Sequence, residues 1–194
     1  MTLVPRRSWA KDLDAATLYE LLKLRVEVFV VEQATPYPEL DGRDLLAETR
    51  HFWLEGADGQ VISTLRLMEE HPGGEKVFRI GRVCTKRTER GHGHTNRLMQ
   101  AALAEVGPHP CRIDAQTYLE EMYVKHGFAR DGDEFLDDGI PHVPMLRSPV
   151  VLTAPSVVTD TLLPAERANT PLLSSPSVVT LLPWMMTWPL GALP

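Results

Sequence analysis

Apolar positions in the first 148 residues recur with two periods, and the switches between them mark the elements. Leu18, Leu21, Leu22, Val28 and Phe29 fall on one helical stripe. Asp14 precedes them and suits an N-cap, with Thr17 rather than Glu or Gln at the capping-box position. A second stripe, Leu98, Met99, Ala102, Leu103 and Val106, predicts another helix. A third, short helix spans 118–127 and ends at Gly127, which accepts the left-handed conformation common after a helix. Strands are expected at 7–10, 51–55, 60–68, 77–85 and 111–116, the second and third joined by a turn at Ala57-Asp58-Gly59. Residues 128–147 read as two short strands around Asp-Gly turns. PYPELDGRD (36–44) reads as a loop, because prolines and Asp-Gly interrupt any period. The order β-α-β-β-β-α-β-α-β-β predicts an α+β fold, a mixed sheet with helices between its strands.

This patterning stops near residue 148. From Pro149 to Pro194 there are three charged residues and eight prolines, so neither helix nor central strand is sustainable there. PSVVTDTLLP at 155–164 returns as PSVVTLLP at 176–183, one copy short of the three a solenoid needs. The expected division is a domain over 1–148 and a Pro-rich, low-charge appendage over 149–194, extended and poorly ordered. Leu181, Leu182, Trp184, Met185, Met186 and Trp188 leave two readings open for it: a segment that adheres to a partner, a membrane surface or the domain, or a tail without an evolved role.

A net charge of −6 argues against an electrostatic nucleic-acid binder and mildly favours a cationic partner. Two cysteines, Cys84 and Cys111, make no disulfide framework. With no readable secretory signal and no apolar run long enough for a membrane span, the expected compartment is the cytoplasm. A homodimer stays open.

The stretch TERGHGHTNRLM (88–99) sets two glycines and two histidines before the second helix. Freed amides at a helix entrance form an anion seat, where unsatisfied N–H groups and the helix dipole act together. A phosphate-binding ATPase loop is excluded, since GxxxxGK[ST] is missing. A dinucleotide fold fits poorly: Asp114 lies 21 residues beyond Gly93, but the third glycine is Asn96 and six residues separate strand from Gly91. A metal held by His92 and His94, with Cys84 or Cys111, lacks a third ligand at a recognised zinc spacing, so no metal is expected.

Arg90-x-x-Gly93-x-Thr95 resembles the R/Q-x-x-G-x-G/A pyrophosphate loop of the GCN5-related N-acetyltransferases (GNAT). LRVEVFVVEQATPYPELDGRD (24–44), RHFW (50–53), RIGRVCT (79–85), IDAQTYLEEMYVKHGF (113–128) and DDGIPH (137–142) resemble its ElaA-like branch, in family order over about residues 7–146. The resemblance implies a GNAT-like, mostly antiparallel central sheet flanked by helices. It implies acetyl-CoA as co-substrate and an amine as acceptor, with no metal. Arg90, Gly91, His92, Gly93, His94 and Thr95 would then hold the pyrophosphate, and Arg82, Val83, Cys84 and Gln116 the pantetheine and thioester. Tyr123 occupies the family's general-acid position; by spacing alone it is a core tyrosine on the stripe Leu119-Met122-Tyr123-His126. Glu32 is the first candidate base, with His51, Asp138 and His142 as alternatives, and Asp41, His51, Asp138 and His142 form the expected acceptor wall. Glu39, Asp41, Asp44, Asp137 and Asp138, with Glu32, would attract a cation to the mouth, unless they are a solvated loop. Arg25, on an apolar stripe, is expected to be an internal ion-pair partner, and Cys84 a small buried residue. One departure stands out: Thr95 replaces the usual Gly or Ala, and its branch crowds the phosphate while its hydroxyl can either donate or block. The rival implication is a catalytically weak acyl-CoA-binding or regulatory module.

Overall fold

A short strand, β1 (Arg6–Trp9), leads through a single 3-10 turn to Asp14. The Asp14 carboxylate accepts the Thr17 amide at 2.9 Å and the Thr17 hydroxyl at 2.7 Å, and so starts helix α1 (Ala15–Arg25). These coordinates are a computed structural model that describes residues 3–149; the expectations about the Pro-rich appendage lie outside the described residues from 150 onward.

The buried positions of this helix are Leu21, Leu24 and Arg25, so the predicted stripe is displaced from Leu22 toward Leu24. Its continuation is not α-helical. Residues Val26–Glu32 form a π-helix, in which the Gln33 amide reaches back five residues to the Val28 carbonyl. The wider turn brings Phe29, Glu32 and Gln33 to the edge of the cavities described below.

Strands β2 (Thr49–Glu55), β3 (Val61–Glu70) and β4 (Val77–Thr85) form an antiparallel meander. Helix α2 (His94–Val106) then crosses to β5 (Cys111–Gln116), the one strand parallel to its neighbour among the described pairs. The short α3 (Glu120–Val124) follows, then β6 (Ala129–Arg130), β7 (Phe135–Asp137) and β8 (Ile140–Arg147). The last segment therefore carries three strands, where two were expected; the two-residue β6 is too short to leave a periodic signal. Strand order is β1-β2-β3-β4-β5-β8-β6, with β7 on β8. This is the mixed, mostly antiparallel α+β sheet predicted. Among the described residues no helix is long and apolar enough to cross a membrane.

Alternation along β2 separates the two faces. Phe52 and Leu54 pack in the larger cluster with Leu98, Met99, Ala102 and Val106 of α2. Trp53, between them, packs with Leu21, Leu24 and Val28 of the first helix, together with Val61 and Cys84. A helix thus covers each face.

Two irregularities shape the centre of the sheet. Thr64 pairs with Cys84 but Arg66 with Gly81, so Arg82 and Val83 bulge from β4, with Arg82 at φ 54°. The β4–β5 pairing holds only at Phe78–Cys111 and Arg79–Arg112. Beyond it the strands diverge, opening the sheet on either side of the bulge.

Candidate active site

Two cavities meet at this opening. The first, about 1030 Å³ with its open mouth, is lined by Arg79, Arg82, Asp114, Asp138, Ile140 and His142 among others. The second, about 830 Å³, runs past Val28, Glu32, Cys84, Arg90, Thr95 and Met122. Phe29, Gln33, Val83, Gln116, Leu119 and Tyr123 line both. Tyr123 is 3% exposed, stands edge-on to Phe128, and its hydroxyl has no hydrogen-bond partner among the described residues. Burial raises its pKa, so the phenol stays protonated and remains a donor. Above it the side-chain amides of Gln33 and Gln116 bond each other at 3.2 and 3.3 Å, and the Tyr118 hydroxyl donates to Gln116 at 2.7 Å.

The loop after the first helix folds onto the bulge through a closed ring of alternating charges. Arg25 pairs with Glu39 and Asp44, Asp44 with Arg66, Arg66 with Asp41, Asp41 with Arg82, and Arg82 with Glu39. Arg66 meets Asp41 with two nitrogens, at 2.7 and 2.6 Å. The Tyr37 hydroxyl closes on Glu39 as well. Arg25 is 1% exposed and is the internal ion-pair partner expected. Burial works against the charge on Asp41 and Asp44, but their arginine partners outweigh it and both carboxyls sit below their ordinary pKa. The predicted acidic mouth is therefore corrected: Glu39, Asp41 and Asp44 are neutralised by three arginines, and of the proposed set Asp137 and Asp138 have no ion-pair partner among the described residues. Arg82 belongs to this ring and lines the first cavity, not the second.

His51 is also placed away from both cavities. It is 1% exposed, donates from Nε2 to the Asp44 carbonyl oxygen at 2.9 Å, and its pKa is lowered by burial. Asp41 lines the first cavity, but Arg66 and Arg82 hold its carboxylate. Glu32 lines the second cavity, where Arg90 grips both its oxygens at 2.6 and 2.8 Å and lowers its pKa. A carboxylate so held is a poor proton acceptor. Asp138 and His142 do reach the first cavity. His142 donates from Nδ1 to the Ile140 carbonyl oxygen at 2.9 Å, which leaves the Nε2 lone pair available.

At the glycine segment, Gly91 and Gly93 adopt φ 82° and 74°, and a Cβ on either would meet open space. Gly93 is the N-cap of helix α2 and offers no side chain, so the first amides of the helix are unclaimed by a cap. Of this segment Arg90 and Thr95 line the second cavity; the side chains of His92 and His94 face Glu89 instead. The Thr95 hydroxyl is 3.1 Å from that of Thr85, which lies 2.8 Å from Ser63. At the wall of the second cavity it is thus tied into a hydroxyl chain that reaches Ser63 of β3. Cys84 is buried beside the second cavity and its thiol pKa is raised, as burial disfavours a thiolate.

The fold is a mixed sheet split between β4 and β5 with cavities at the split, and the comparisons with known proteins give the family. The family profile described as "Acetyltransferase (GNAT) domain" matches residues 15–148, and the chain belongs to that family. Within it the chain falls among the ElaA and UPF0039 proteins. It is 81% identical over 147 residues to a UPF0039 protein of Mycobacterium bovis, covering 76% of this chain and 94% of that one. A crystal structure of an acyl-CoA N-acyltransferase from Pseudomonas aeruginosa superposes with TM-score 0.70 at 38% identity, over 76% of this chain and all of that one. Escherichia coli ElaA gives the same TM-score at 30% identity, again over 76% of this chain and 100% of the other.

Proposed function

We propose that this chain moves an acetyl group from acetyl-CoA to a primary amine, of a small molecule or of a peptide or protein, by direct attack. The meeting of two cavities at Val83, Gln116 and Tyr123, where β4 leaves β5, is the observation that carries this reading. The second cavity suits the coenzyme: Val28, Met122 and Leu119 offer apolar wall for a pantetheine, and Arg90 with the uncapped α2 amides offers an anion seat. The first cavity admits the acceptor.

The thioester supplies an activated acyl carbon. The Val83 amide, outside the β3 register, donates toward the carbonyl oxygen as negative charge develops there. His142, directly or through water, takes the proton an ammonium must lose before its nitrogen has a lone pair. As the new N–C bond forms and the C–S bond breaks, the nitrogen sheds its second proton to solvent, while Tyr123 gives its phenolic proton to the departing sulfur and regains one from solvent. No enzyme nucleophile takes part, in keeping with two buried thiols.

The test is calorimetric titration of acetyl-CoA followed by measurement of CoA release with a panel of amines. Binding with turnover is the expected result. Binding without turnover supports instead an acyl-CoA-binding module, a reading favoured by the loss of Glu32 as a base to its pair with Arg90; no binding defeats both.

That grip makes its own prediction. Glu32 stands where it competes with a diphosphate for Arg90. An exposed ion pair is worth about 0.2–1 kcal/mol, so Glu32→Gln should tighten acetyl-CoA binding up to about fivefold. Unchanged or weaker binding by calorimetry would mean that Glu32 aims Arg90 for the coenzyme.

A further inference from the structure

We infer a binding site for a divalent transition-metal ion, of the zinc, cobalt or nickel type, formed by Glu89, His92 and His94. Glu89 ends the 3-10 turn Arg87–Glu89, His92 follows in the loop, and His94 opens α2. The left-handed glycines at 91 and 93 reverse the chain twice between them, so three side chains spread along six residues converge. One ligand atom from each lies within 4.8 Å of the others, and His94 Nε2 stands 3.6 Å from a Glu89 oxygen. Ligands about 2.0–2.2 Å from a tetrahedral ion lie roughly 3.4 Å apart, so one edge is already near its bonded length and the others close by rotation of exposed side chains.

The chemistry of the donor set agrees. Two imidazoles and a carboxylate suit a borderline ion and not calcium or magnesium, which take oxygen ligands. His92 donates from Nδ1 to the Glu89 carbonyl oxygen at 3.2 Å. That bond fixes the tautomer with a free Nε2 lone pair, the outer support that metal-bound histidines ordinarily have. The His92 and His94 rings lie 5.8 Å apart and 29° from parallel. His94 is 6% exposed and held in place, which lowers the ordering cost of binding. One contact opposes the ion: Arg97 Nη1 donates to His94 Nδ1 at 3.1 Å and so keeps the proton on Nε2. Arg97 must release His94 for the metal to enter, and the site is gated by that arginine.

Zinc titrated into the full chain should bind at one equivalent by calorimetry, and cobalt in its place should give the visible spectrum of a nitrogen- and oxygen-ligated ion. His92→Ala and Glu89→Gln, both at exposed or half-exposed positions, should each weaken zinc binding at least tenfold with unchanged circular dichroism. Arg97→Gln should tighten it. No zinc binding, or binding that survives His92→Ala and Glu89→Gln unchanged and therefore sits on other histidines, would overturn the site. Weaker zinc binding in Arg97→Gln would overturn the gate.

A second consequence rests on the acyl-CoA reading: an ion beside the Gly91–Gly93 anion seat adds positive charge there, so acetyl-CoA should bind at least threefold more tightly with zinc than without. Zinc binding by the three residues with no change in coenzyme affinity would defeat the coupling alone, whereas loss of zinc binding itself defeats the site.

Discussion

Asp44→Ala is expected to lower the unfolding free energy by about 3–5 kcal/mol, the usual cost of removing one partner from a buried ion pair. Asp44 touches two arginines whose side chains are 1% and 3% exposed, Arg25 and Arg66. Without it the ring opens at two adjacent corners: Arg25 keeps Glu39, Arg66 keeps Asp41, and the space between two guanidinium groups becomes a buried repulsion. At roughly 2–4 °C per kcal/mol for a protein of this size, the melting midpoint should fall by about 6–20 °C, read by calorimetry or urea titration. A midpoint within a degree or two of the parent would show the ring to be stabilised elsewhere. The same ring sets the acid limit. Asp41 and Asp44 carry folded pKa values below their ordinary 3.8, so the unfolded chain binds protons that the folded chain refuses. Their contribution is complete above that value and is lost as pH falls through the folded ones. His51, held neutral by burial below its ordinary 6.5, adds an earlier loss that begins as pH drops under 6.5. Stability should therefore decline in two stages on acidification, and the later stage should shrink in Asp44→Ala.

The parts legible in the sequence were those whose signal is local. The stripe of α2, the alternation of the meander strands and the Asp14 cap are each written in a window of a few residues, and each appears in the structure. The π-helix at Val26–Glu32 and the bulge at Arg82–Val83 have no such signature: the first contains neither glycine nor proline, and the second is a register set by the partner strand. The ring was half visible. A lone arginine on an apolar stripe announces a buried partner, but the acids of PYPELDGRD carry no mark of which charge they meet, and they read as turn residues or as an open acidic mouth. Only the fold sets Arg66 and Arg82, from different strands, between them. Glu89 was missed for a related reason. It lies three residues before His92 in a non-helical loop, and convergence there depends on two positive φ angles rather than on any ligand spacing.

Tyr123→Phe should lower kcat about a hundredfold or more, since a positioned general acid contributes typically 10²–10⁴, while the acetyl-CoA dissociation constant stays within about twofold, because in the proposed mechanism the hydroxyl meets sulfur only as the C–S bond opens. The same substitution should leave the melting midpoint unchanged. Tyr123 lies 3% exposed, but it lines both cavities and its hydroxyl bonds no other described residue, so phenylalanine removes no internal hydrogen bond and keeps the packed ring. Activity lost with stability kept is a combination that a packing role for the ring cannot produce, since the ring remains. The pH profile separates the cases further. Burial raises the phenol above its ordinary value of 10.0, so the donor form is present throughout the neutral range and no alkaline loss of rate near pH 10 should trace to it. A free thiol has a pKa of about 8.5, so a sulfur leaving below that pH must end protonated, and Tyr123, lining both cavities at their junction, is placed to supply that proton. A parent-like kcat for Tyr123→Phe across the range from pH 6 to 9 would remove the phenol from the chemistry and leave proton delivery to water.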